Sequence, residues 1–166
     1  MDRDLQRLGY SVRGLANWIL DYAESEGARH TNMGINKLVF FVTERLLLDQ
    51  AVLITNAKIE AWEHGPVFRE LYQSFKGFGN GYISGRAASF STKTNEFVEA
   101  KLSFSEQEEL TLQEALKPFI HKSAAELRAL SHELDGAWHR VWWYDGHANP
   151  GMEITPALLL EAGRGR

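Results

Sequence analysis

The chain has 166 residues, 44% of them hydrophobic, a net charge of −4 and no cysteine. That is long enough for one well-buried core and short of two, and the mild acidity argues against a dedicated nucleic-acid binder, whose phosphate contacts rest on clustered Lys and Arg. Without cysteine a disulfide framework and a thiolate metal site are both excluded, which fits a reducing, cytoplasmic setting.

The opening residues, Met1 to Arg7, carry both signs of charge, and no apolar run of signal-peptide length follows them. Nowhere do roughly 18 consecutive apolar residues occur, so no membrane-spanning helix is expected. The first predicted helix runs from Ser11 to Ala23, with Val12, Leu15, Ala16, Ile19 and Ala23 on one face, Trp18 and Tyr22 at its edge, and Ser11 as cap. A second starts near Thr31 or Asn32 and is apolar nearly all round through Leu48, which marks it as the central helix. Lys37 is the one conspicuous charge in its first half, and a lysine so placed is expected to snorkel to water along its stem.

Ala51 to Thr55 reads as a short strand that Asn56-Ala57 turns back into Lys58 to Trp62, a small antiparallel hairpin needing a helical cover. Next come Gly65-Pro66 and a helix spacing Phe68, Leu71, Tyr72 and Phe75 at three-and-four intervals, with Pro66 at its first position. Trp62, Glu63 and His64 put an aromatic face, a carboxylate and an imidazole at that corner. They can recognise a partner, or satisfy a helix start that lacks acceptors. A glycine-rich loop (Gly77, Gly79, Gly81) and a polar stretch to Leu102, with alternation at Phe97 and Val98, follow. Two capping boxes, Ser105 with Glu108 and Ser123 with Glu126, then announce helices, the first closed by Pro118, the second running to about Leu134 with Ala124, Leu127, Leu130 and Leu134 inward. A last short helix begins near Thr155-Pro156, ends before Gly163, and leaves residues 164–166 as a tail. The expected architecture is mainly α with a small antiparallel element (α+β), one domain over residues 1–163.

Enzymatic signatures are thin. Gly77, Gly79 and Gly81 follow a helix, whereas a phosphate-cradling loop follows a strand and opens a helix. His132, Glu133 and His139 lack the spacing of a helical zinc site, and there is no cysteine nucleophile or nucleophile-elbow serine. Glu60 and Glu63 lie three apart in an extended piece and point to opposite faces. The run from Trp138 to Tyr144 seals a core or, if exposed, anchors a partner.

Three blocks resemble the Panacea domain family, also called SocA-like or phage-associated protein. They are Ile35-Asn36-Lys37-Leu38-Val39-Phe40-Phe41; then Ile59 to Val67 (Ile-Glu-Ala-Trp-Glu-His-Gly-Pro-Val) running into Leu71-Tyr72 and Phe75; and Ser123-Ala124-Ala125-Glu126-Leu127 with Leu130-Ser131-His132 and Trp138. Ser131 replaces the usual threonine, and Ala137 stands where proline is common. The resemblance implies a non-enzymatic, cytoplasmic antitoxin of a toxin-antitoxin system, without a cofactor or metal. Its partner would be a cognate protein toxin, encoded next to it and neutralised by direct binding. An adaptor delivering the toxin to a Clp-type protease is an alternative known in the family. A small-ligand or metal-binding domain using Glu63, His64 and His132 is another. The residues expected to form the binding patch or its support are Lys37, Trp62, Glu63, His64, Gly65, Pro66, Tyr72, His132 and Trp138, with the loop from Gly77 to Ser103 widening the contact.

Overall fold

A computed structural model describes residues 4–164; the expected free tail at 165 and 166 lies outside these, as do Met1 to Arg3 of the opening segment. Among the described residues, seven α-helices and three two-stranded pairings form the fold, as expected for a mainly α architecture with small sheets. After β1 (Gln6–Arg7) come α1 (Val12–Ser25), α2 (Asn32–Gln50), β2 (Val52–Leu53), β3 (Glu60–Trp62), β4 (Gly65–Val67) and α3 (Arg69–Phe75). The second half holds β5 (Ala88–Ser91), β6 (Glu96–Glu99), α4 (Glu106–Leu116), α5 (Ala124–Ser131), α6 (Ala137–Trp142) and α7 (Pro156–Arg164).

The helix starts follow their caps. The Ser11, Thr31, Ser105 and Ser123 hydroxyls each accept a backbone N–H in the first turn, and both predicted capping boxes are closed by Glu108 and Glu126. α2 occupies the centre, in contact with α1, α3, α4, α5, α7, β2 and β4. Ile35, Leu38, Val39, Phe40, Val42 and Leu47 are each at most 2% exposed, so the helix has no solvent stripe until its last turns. Each such side chain contributes about 1.5–3 kcal/mol relative to exposure.

Four expectations are corrected. The segment at Val52–Leu53 does not pair with residues 58–62; it runs parallel to β1, and β3 instead forms its hairpin with β4, with Glu60 opposite Val67 and Trp62 opposite Gly65. Pro66 therefore sits inside β4, opposite Ala61, and α3 begins at Arg69 after Phe68. Lys37 does not snorkel: it is 1% exposed and sealed by β4 and α5. α5 stops at Ser131, and Leu130 (42% exposed) and Leu134 (75%) face outward, so only Leu127 of the four expected residues is fully buried.

Beyond α3 the chain forms a second hairpin, β5–β6, that stands on α1. Buried Asn17 holds its base like a missing strand, donating from Nδ2 to the carbonyls of Ala87 (2.9 Å) and Ala100 (2.8 Å) and accepting the Ala87 N–H at Oδ1 (2.8 Å). Residues 151–154 run beside β3, the Ala61 N–H donating to the Met152 carbonyl and the Ile154 N–H to the Ile59 carbonyl, each at 2.8 Å. α7 thereby reaches α2, and Arg164, expected in the tail, is its last residue. No helix among the described residues is long and apolar enough to cross a membrane.

Candidate functional site

The β3–β4 hairpin turns through two exposed residues, Glu63 and His64, and re-enters the protein at Gly65. Gly65 takes φ +113°, and a Cβ there would lie 2.6 Å from the Ser131 hydroxyl and 2.7 Å from Lys37 Cε, so both backbone and packing require glycine. At the other end of β3, Glu60 is buried and matched by a fork from Arg69, whose Nε and Nη2 donate at 3.0 and 3.2 Å. The Trp62 indole also donates to Glu60, at 3.1 Å. Tyr72 of α3 meets the Trp62 ring edge-on at 4.9 Å, and the Arg69 guanidinium lies 5.5 Å from its centroid. Trp62 is half-buried and locked in orientation.

Helix α2 grips this corner with polar side chains one turn apart. Asn36 Oδ1 accepts the Phe68 N–H (2.9 Å), while its Nδ2 donates to the Asn32 carbonyl (3.0 Å) and to Asn32 Oδ1 (2.9 Å). Asn32 Nδ2 donates in turn to the Tyr72 carbonyl (3.0 Å). Lys37 Nζ donates to the Pro66 carbonyl at 3.0 Å. Burial pulls the Lys37 ammonium down to about 7, with the nearby Arg128 charge acting in the same direction.

Behind the hairpin, His132 and Trp138 stack face to face, 3.8 Å apart and 5° from parallel, and the Trp138 indole donates to the Trp62 carbonyl at 2.7 Å. Burial first, then the Arg128 and Lys37 charges, hold His132 down at about 4, against the opposing pull of the His64 backbone. The imidazole is therefore neutral around pH 7 and acts as a flat buttress.

In front of the hairpin lies a cleft of about 780 Å³. Trp62, Glu63, His64 and Tyr72 line it together with Lys37 and Arg128. Met33, Val67, Ala124 and Ala125 supply apolar wall, and the first turns of α2 and α5 both border it. Of the nine residues expected from the sequence, Lys37, Trp62, Glu63, His64 and Tyr72 thus come together on one surface. Gly65 and Pro66 pack against Lys37 without lining the cleft, and His132 and Trp138 support the hairpin, also without lining it. Trp138 is 4% exposed and borders a separate, smaller cavity of about 160 Å³ beside Phe40 and Phe41. Among the described residues no three His, Asp or Glu side chains gather as metal ligands, so Glu63, His64 and His132 do not make a metal centre.

Sequence reasoning missed Asn32, Asn36 and Arg128. The two asparagines carried a signal: amides four apart in an otherwise apolar helix must find buried partners. Arg128 carried none, because its place depends on which face of α5 meets α2.

The family model described as antitoxin SocA-like, Panacea domain, matches residues 35–139, which hold the hairpin corner, Lys37, Arg128 and Trp138. The chain is also similar to a protein named Antitoxin SocA from Caulobacter vibrioides (strain NA1000 / CB15N). The two are 29% identical over 127 residues, spanning 76% of this chain and 68% of that one. No solved structure gives a significant match. With the model covering well over half of its length, the chain belongs to the antitoxin SocA-like, Panacea-domain family.

Proposed function

We propose that this protein is an antitoxin that neutralises a cognate protein toxin, encoded beside it, by direct and stoichiometric binding at the cleft in front of the β3–β4 hairpin. The observation that carries the reading is that the family-matched segment builds a preformed recess: Trp62 fixed by Glu60, Arg69 and Tyr72, beside Asn36 and Lys37, which bond to the backbone of the hairpin and its exit. A recess whose walls are already ordered loses little side-chain freedom on binding, which suits an inhibitor. Trp and Tyr at its rim are the side chains that most often anchor protein interfaces. A specific interface covers roughly 800 Å² on each partner, more than one corner offers. The β5–β6 hairpin, with Phe90 51% and Phe97 73% exposed on opposed positions, supplies further apolar surface.

The experiment is co-expression with the neighbouring gene, followed by co-purification. Growth should be arrested by that product alone and restored by this protein, with the two chains eluting together. A harmless neighbour, or toxicity that persists beside this protein, overturns the reading. Restored growth that requires a Clp-type protease, with no stable complex, makes the protein an adaptor instead.

A further inference from the structure

The cleft's charges are unbalanced. Lys37 and Arg128 both line it, yet neither has a carboxylate partner among the ion pairs of the described residues. Lys37 is 1% exposed, and of its three ammonium hydrogens the Pro66 carbonyl takes one. Arg128 Nε is buried and meets no acceptor. Buried cationic donors are ordinarily paired, and an unmet one is costly, more so when it is charged. Lys76 adds a third cation to the lining against one carboxylate, Glu63. This concentration stands out in a chain whose net charge is −4.

Resting on the antitoxin reading above, we infer that the cleft is a socket for one carboxylate of the toxin, an Asp or Glu side chain or the chain's terminal carboxylate, received between Lys37 and Arg128. A carboxylate offers two oxygens and four lone-pair directions, enough for the unpaired Arg128 Nε–H and an ammonium hydrogen together. The first turns of α2 and α5 place the positive ends of two helices at the same opening. Apolar walls at Met33, Val67 and Ala125 suit an acidic residue carried on an apolar segment of protein. They suit a heavily hydrated free anion poorly. An incoming carboxylate would also restore a partner to charges that burial now penalises, so binding and relief of that cost coincide.

The test is a double-mutant cycle on the purified complex. Arg128→Gln and Lys37→Met are made here, each Asp and Glu of the toxin is changed singly to its amide, and the toxin's terminal carboxylate is amidated in a further variant, with melting curves confirming that every variant folds. Arg128→Gln should weaken the complex about 30-fold or more, the range for breaking a desolvated charge pair. Arg128→Lys should recover part of the loss. One toxin substitution should match the Arg128→Gln loss and add little to it when combined. If the wild-type chains do not associate, the antitoxin reading itself falls. If they associate and neither Arg128→Gln nor any single toxin carboxylate matters, the socket is wrong while the antitoxin reading stands. The toxin scan leaves this chain intact, so it decides the point even if Lys37→Met is unstable.

Discussion

Lys37 carries an ordinary lysine amine into a place where its proton is costly. With its pKa at about 7 against 10.5 in water, keeping the ammonium charged costs the fold on the order of 5 kcal/mol. The sign follows from proton counting: between about 7 and 10.5 the unfolded chain holds this proton and the folded chain does not, so stability rises with pH across that window. Lys37→Met removes the charge but orphans the Pro66 carbonyl, a loss of about 1–3 kcal/mol. The variant should therefore be more stable than wild type below pH 7 and less stable above 10.5, which urea unfolding at both ends checks. His132 gives the matching effect on the acid side. Its neutral form is the one that stacks on Trp138, so its contribution is present above its unfolded value of 6.5 and lost as pH falls through about 4. His132→Phe should reduce the acid sensitivity of unfolding, measured as the difference from wild type at each pH.

At the scale of elements, the corner depends on backbone that only its neighbours can hold. Gly65→Ala places an L residue at φ +113° and drives its Cβ into Ser131 and Lys37; the backbone part alone costs about 1–3 kcal/mol, seen as a lowered denaturation midpoint. Asn17→Leu removes three hydrogen bonds from the base of β5–β6, so amide exchange at Ala87 and Ala100 should quicken while the α2 core stays protected. The helices were legible because their starts carry local chemistry: Ser11, Ser105 and Ser123 announce caps within three residues, and α2 is apolar on every side. The strands were not. β2 finds its partner in Gln6–Arg7, some 46 positions away, which no local pattern encodes. Pro66 fits a helix start by propensity, yet pairing with β3 and the Lys37 bond to its carbonyl hold it in the hairpin. The cleft was half legible: Trp62, Glu63, His64 and Tyr72 are contiguous or nearly so, whereas Lys37 and Arg128 meet them only once α2 and α5 pack.

For the whole molecule, α2 works as an axle: α1, α3, α4, α5 and α7 all bear on it, and its first two turns line the cleft. That arrangement presents the recognition groups of the cleft on rigid elements. The most direct measurement is a titration of purified toxin activity with this protein alone, no protease present, alongside the mass of the resulting complex in the ultracentrifuge. A binding antitoxin abolishes activity at a fixed mole ratio, and both chains sediment intact in one species. Loss of toxicity at trace amounts of this protein, or with no complex formed, would contradict it.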